Sequence, residues 1–144
     1  MTDDYRPFRP RLARVVPLAI AALVVVATGL LLALMPGLGR LDRVGFALVG
    51  LAIAWFCWRE AAVVARPDPR GLTVRNLMLT RRLAWAQVVS VRFGEGRPWV
   101  QLDLDDGDAL AVMAIQRADG AAAQTEARRL ATLVARHTAT PADD

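Results

Sequence analysis

Residues 15–35 read "VVPLAIAALVVVATGLLLALM", twenty-one positions without a charged side chain. As a helix rising about 1.5 Å per residue, the stretch reaches roughly 31 Å, the thickness of a bilayer's hydrocarbon core. A soluble helix that is apolar on every side needs protein packed all round it, which the rest of a 144-residue chain cannot supply. The segment reads as a membrane span. Pro17 falls in its first turn, where a missing N–H costs little, and Pro36-Gly37 ends it. It exceeds the apolar region of about 7–15 residues in a signal peptide, and no small-x-small cleavage pattern follows.

A second apolar run, 44–58, covers only fifteen residues, roughly 22 Å as helix. Extension to Ala65 restores a spanning length if Arg59-Glu60 lies at the interface. Trp55 and Trp58 favour that boundary, and Arg59 can lift its guanidinium to the headgroups. Asp42 is the expected N-cap. The expectation is a helix over 42–65, stopped by Pro67-Asp68-Pro69, with Trp55, Trp58 and Arg59 as interface anchors.

Charge placement sets the orientation. All eighteen basic residues are arginine, and the net charge is +4. In residues 1–14, Arg6, Arg9, Arg11 and Arg14 against Asp3 and Asp4 give +2. The connector 36–43 carries +1, residues 59–82 carry +4, and the balance beyond is negative. This excess puts both ends in the cytoplasm, with a basic N-terminal tail (1–14) and a tight external turn (36–43). The chain reads as a multi-pass plasma-membrane protein. Nucleic acid is not an expected partner, because such binders gather arginine on their folded part. Hydrophobic residues make up 55% of the chain and concentrate before residue 66, so the chain has two unlike parts.

Beyond Pro69 the period changes from helical to alternating. "GLTVRN" sets Leu72 and Val74 against Thr73 and Arg75, and Asn76 supplies a turn. "LMLTRRLAW" reads as a strand with Leu77 and Leu79 on one face. "AQVVSVRF" places Val89, Val91 and Phe93 at period two, closed by Gly94-Glu95-Gly96. "PWVQLDL" places Val100, Leu102 and Leu104 on one side. A three-residue turn around Gly107 sets Leu102 against Leu110 and Val100 against Val112, aligning two apolar pairs that a two-residue turn would break. "DLDDGD" fails the calcium-loop spacing and reads as that turn. Asp119 is the expected cap of a last helix with Ala123, Ala127, Leu130 and Val134 on one stripe. Arg128, Arg129 and Arg136 lie off that stripe as a solvated face. Residues 138–144 read as a disordered tail. The fold class is α+β: a two-helix transmembrane hairpin, then about five antiparallel strands forming a sheet or partial barrel capped by a C-terminal helix.

These segments together resemble the bacterial pleckstrin-homology-like (PH-like) domains of actinobacteria, and most closely the low-molecular-weight protein antigen 6 family. The resemblance covers about residues 45–137 and rests on "RPDPRGLTVRN", "RRLAWAQVVSVRF", "PWVQLDL" and "DGDALAVMAIQ". It implies a curved antiparallel sheet closed by a helix over 67–137, and no catalytic residues. Eukaryotic relatives hold phosphoinositides through basic residues near the first strands, where Arg75, Arg81 and Arg82 stand here.

Enzyme chemistry has little to build on. The lone histidine, His137, has no carboxylate near it in sequence, and Cys57 is the only cysteine. No phosphate-cradling glycine loop is present. The sequence therefore leads to a non-catalytic membrane-anchored module with no cofactor and no metal, contacting another membrane protein or a second copy of itself. A lipid-sensing role for Arg75, Arg81 and Arg82, or service as an accessory subunit of a membrane enzyme or transporter, are the alternatives.

Overall fold

The computed structural model describes residues 4–94 and 96–139. It divides into a helical unit, residues 13–62, and a second unit made from the described residues of 1–12 and 63–144.

The helical unit holds α1 (Leu12–Leu34) and α2 (Arg40–Ala61). Both are long and apolar enough to cross a membrane, and only 6% and 11% of their most apolar windows are buried by protein. A core helix of a soluble protein would be mostly buried. Arg43 explains itself locally: its guanidinium donates to the carbonyls of Leu32 (3.1 Å), Met35 (3.3 Å) and Leu38 (3.3 Å), in the last turn of α1 and the connector that follows it. Gly50 approaches Thr28 so closely that a Cβ there would meet Oγ1 at 2.6 Å, the small-residue contact that helices in lipid favour.

Two helical expectations are corrected. Asp42 does not cap α2: the N-cap is Gly39, without a side-chain bond, and Asp42 sits in the first turn. The helix also ends at Ala61 rather than 65. Val63 and Ala65 join the domain core at 3% and 0% exposure, Val64 is also buried (6%) on the opposite face, and β1 (Val64–Asp68) runs through Pro67. Burial of these three residues outweighs the helical continuation that their apolar character alone would permit.

Among the described residues, six strands make two antiparallel sheets, β1-β2-β3 and β4-β5-β6, one strand more than expected. The remaining strands are β2 (Gly71–Arg75), β3 (Thr80–Ala84), β4 (Val88–Arg92), β5 (Trp99–Leu104) and β6 (Ala109–Gln116). The β5–β6 register pairs Leu102 with Leu110 and Val100 with Val112, with Gly107 at φ 87°, as the turn chemistry requires. A short 3₁₀ turn, Trp85–Gln87, joins the sheets. The Asn76 side chain ties them again, donating to the Ala111 carbonyl (2.7 Å) and accepting from the Met113 N–H (3.2 Å).

Leu77 and Leu79 do not share a strand face. The Asn76 N–H closes onto the Leu79 carbonyl (2.8 Å), so 76–79 form the turn between β2 and β3. Val89 is 64% exposed although Val91 and Phe93 pack on the core. A bulge between Val88 and Ser90 breaks the alternation and turns Val89 outward.

The last helix, α3 (Ala121–Thr138), buries the expected stripe of Ala123, Ala127, Leu130 and Val134, together with Leu133. Its N-cap is Gly120, not Asp119. The Asp119 carboxylate instead accepts the backbone N–H groups of Arg11 (2.9 Å) and Leu12 (3.0 Å). Thr138 belongs to α3; residues 140–144, most of the expected tail, lie outside the described residues, as does Glu95 of the expected 94–96 turn.

Candidate functional site

No sequence pattern pointed to the part played by residues 4–12. Phe8 is fully buried and pairs with Ala65, its N–H donating to the Ala65 carbonyl (2.8 Å) and its carbonyl accepting from the Ala65 N–H (3.1 Å). Arg129 lies over the Phe8 ring, 3.7 Å from its centroid, and donates to the Asp4 and Arg6 carbonyls (3.1 and 2.9 Å). Arg129 is thus part of a seam, not of a solvated face: Phe8 offers it a π-surface and the extended strap offers it carbonyls. Arg136 also leaves that face to bind the Asp4 carboxylate at 2.7 Å, and Arg128 stays exposed. This bond, more than the general attraction of the guanidinium, holds the Asp4 carboxyl below its ordinary range and raises Arg136 in turn. The signal available in the sequence was "RPFRP": two prolines that extend the backbone, with one aromatic between them.

His137 joins this seam. Its Nε2 lies 3.0 Å from the Tyr5 hydroxyl, and its ring stacks on Trp85 at 5.0 Å with 5° between planes. Trp85 in turn donates to the Asp68 carbonyl at 2.9 Å. The histidine is held between two aromatic partners, with no carboxylate bonded to it among the described residues.

The aspartates of the β5–β6 hairpin are also accounted for. Asp103 accepts from Ser90 and Arg92; the Ser90 hydroxyl is the main cause of its lowered pKa, followed by Arg92. Asp106 accepts the Asp108 N–H (3.0 Å) in the turn. Among the described residues, no three His, Cys, Asp or Glu side chains come together in a metal-binding group.

The three arginines singled out in sequence split between two faces. Residues opposite each other in an antiparallel ladder share a face. Arg81 pairs with buried Val74, and its guanidinium reaches Asp106 (3.4 Å) and Asp108 (3.9 Å). Arg82 pairs with Thr73, which pairs with Arg66, and Arg75 pairs with Thr80. Arg66, Arg75 and Arg82 therefore stand together on the outer face of β1-β2-β3, with no ion pair among the described residues. Beside them is a recess of about 300 Å³ bordered by Arg70, Thr73 and Arg82. The Asp68 carboxylate closes its rim by accepting the N–H groups of Arg70 (2.7 Å) and Gly71 (3.0 Å). A separate groove of about 640 Å³ runs between β4, which is an edge of its sheet, and α3, and is lined by Val91, Phe93, Ala127, Ala131, Arg117 and Arg128. In the helical unit, Trp55 and Trp58 are each 54% exposed, three residues apart, and Arg59 lies in the last turn of α2.

Antiparallel strands closed by a C-terminal helix are what the resemblance implied, here as two three-stranded sheets rather than one curved sheet, and a family model described as bacterial PH domain matches residues 61–132. The chain belongs to the bacterial PH-domain family. The matched stretch opens in the last turn of α2 and ends within α3, so it includes β1 but not the Phe8 strap. Proteins named as uncharacterised from Mycobacterium tuberculosis and Mycobacterium bovis are 34% identical over 96 residues, covering 67% of this chain and 62% of theirs. The chain thus spans less than two thirds of the length of these relatives. No solved structure matches. Membership in this family points to a binding module rather than a catalyst.

Proposed function

We propose that this bacterial PH domain is a non-catalytic binding module held at the inner face of the plasma membrane by the α1–α2 hairpin, where it contacts other membrane-associated proteins. On this reading it is of the actinobacterial low-molecular-weight protein antigen 6 type. One observation carries the proposal: Phe8, just before α1, and Ala65, just after α2, pair within one folded unit. Two flanks that fold together lie on one side of a bilayer, which fits two crossings. The arginine excess on those flanks supports the cytoplasmic side. The open edge of β4 and its groove support strand addition by a partner, and tethering raises the effective concentration of neighbours in the membrane.

Cross-linking in cells, read by mass spectrometry, tests this. The expected result is a reproducible protein cross-linked to the PH domain, with the full chain remaining in the membrane fraction after carbonate washing. Recovery in the aqueous fraction, or a domain that cross-links to no protein, overturns it.

A second reading is favoured by the arginines of the outer face, which form no ion pair among the described residues: recognition of anionic lipid through Arg75 and Arg82. The full chain in nanodiscs of anionic lipid then shows amide protection in β2 and β3 that is lost in neutral lipid. Arg75→Glu with Arg82→Glu abolishes this difference. Arg81→Glu leaves it, since Arg81 is already engaged by the hairpin acids.

A further inference from the structure

Two three-stranded sheets have four edges, and three of these are covered or charged. Phe8 pairs with β1, the Asn76 side chain bonds to β6 at Ala111 and Met113, and β3 carries Arg81 and Arg82. Such devices keep an edge strand from pairing with another chain. β4 is different. Among the described residues, its backbone from 90 to 92 pairs with β5 and bonds to no other backbone segment. The bulge between Val88 and Ser90 confines the open run to 90–93, which contains no proline and no acid.

The groove of about 640 Å³ lies against this edge. Val91 stands opposite Leu102 in the ladder and so faces inward, and Phe93 packs on the same core; both are half-buried. Ala127 and Ala131, neighbours four apart on α3, line the other wall with side chains too small to fill the space. Arg117 and Arg128 complete it. Both are exposed, and neither forms an ion pair among the described residues. No acid lines the groove among those residues. An extended segment advances about 3.3 Å per residue with side chains alternating, so four residues laid along 90–93 send two side chains into the groove.

We infer that an extended segment of a partner protein adds to β4 as a further strand, with two apolar side chains in the groove and carboxylates on Arg117 and Arg128. This names the chemistry of the partner for the protein-binding module proposed above, and it rests on that reading. The ladder supplies affinity and the groove supplies selection for alternate side chains. Carboxylates match the two guanidinium groups, which offer charge-assisted hydrogen bonds with no competing acid. A second copy pairing through its own β4 brings no carboxylate, since Val88–Arg92 contains none. Acyl chains cannot meet the open backbone groups of β4.

The test uses the full chain in phosphatidylcholine nanodiscs and fluorescent octapeptides Thr-Z-Thr-X-Thr-X-Thr-Z, where X is Val, Ile, Leu or Phe and Z is Asp, Asn or Lys. The expected result is that Asp members bind about ten-fold tighter than Asn members, as two exposed ion pairs supply, and that Lys members are weaker still. Amide exchange slows at 90–93 and not in β3. Arg117→Glu with Arg128→Glu replaces two exposed side chains, so the domain remains folded, and it reverses the order of Asp and Lys members. Backbone N-methylation along one edge of the peptide abolishes binding, and along the opposite edge does not, because one edge alone meets β4. The proposal is overturned if no Asp member binds below about 1 mM, if all three Z types bind equally, or if methylation is tolerated on both edges. Slowed exchange at 90–93 that grows with protein concentration in the absence of peptide places a second copy there and also overturns it. Reproducible cross-links in cells that avoid both 90–93 and α3 remove the groove and keep the module. Selective Asp binding by a domain that cross-links to no protein in cells keeps the groove and removes the membrane-protein reading.

Discussion

Phe8→Ala is the substitution that most directly tests the strap. The ring is fully buried, with Ala65 on one side and the Arg129 guanidinium 3.7 Å from its centroid. Truncating a buried phenylalanine to alanine costs about 3–5 kcal/mol, from lost transfer energy and the cavity left behind. The strap has two ways to lose this energy. Either the whole domain unfolds more readily, or residues 4–12 detach while the sheets persist. Detachment is the expected route, because Phe8 is bonded to the outer edge of β1 and no strand lies beyond it. At about 1.4 kcal/mol per tenfold, the opening equilibrium shifts by roughly 100- to 4,000-fold. Hydrogen exchange on the full chain reads this at the Ala65 amide, whose acceptor is the Phe8 carbonyl at 3.1 Å. Exchange there should accelerate by that factor, while Leu102, fully buried in the central strand β5, changes far less. Unchanged exchange at Ala65 would refute the claim that Phe8 holds the strap. Equal acceleration at Leu102 would refute its local character.

Replacing residues 13–62 with a flexible linker should give a folded soluble protein by circular dichroism and dispersed amide spectra. A fragment starting at residue 67 should not fold, since it lacks buried Phe8, Val63, Val64 and Ala65. The Asp4 carboxyl is lowered by its hydrogen bond to Arg136, so its contribution is present above the unfolded value of about 3.9 and lost as pH falls through the folded value. Ala65 protection, corrected for intrinsic exchange, should therefore weaken below about pH 4 and do so less in Asp4→Asn; because Glu126 and His137 also face the strap, the difference between the two proteins isolates this carboxylate. Gly71→Ala would place a Cβ 2.0 Å from the Leu83 carbonyl oxygen, and overpacking of that kind costs about 2 kcal/mol. A melting temperature lowered by roughly 10 °C is expected, and an unchanged one would show that β2 and β3 separate easily there.

Periodicity was a reliable guide wherever one residue's environment repeated along the chain. The α3 stripe, the β5 face and the Gly107 turn register follow from spacing alone, because a slip would expose several apolar residues at once. It failed where a single residue changes the pattern. The bulge at Val89 inverts one side chain without any unusual composition. The end of α2 was misjudged because Val63-Val64-Ala65 is equally apolar in a membrane helix and in a sheet, and the partners in β2 and at Phe8 decide between them. Assigning Asp119 to α3 failed in a similar way: a carboxylate just before a helix can serve whichever backbone donors come nearest, here those of Arg11 and Leu12. At the candidate lipid face, residue type was legible but facing was not. Arg81 and Arg82 are adjacent in sequence, and strand geometry sends them to opposite sides.

If the hairpin spans the membrane as proposed, the Phe8 plug also ties domain folding to membrane insertion. Phe8 is translated before both helices, whereas Ala65 and Arg129 emerge only after the whole hairpin has been made. The last piece needed to close the hydrophobic interior must wait near the surface while the two apolar helices are threaded. A nascent chain that crossed the bilayer once would leave Phe8 in one compartment and its socket in the other. Such a chain would carry an open cavity beside β1 and be a natural substrate for quality-control proteases. On that proposal, correct insertion becomes a condition of stability, checked by a phenylalanine outside both helices.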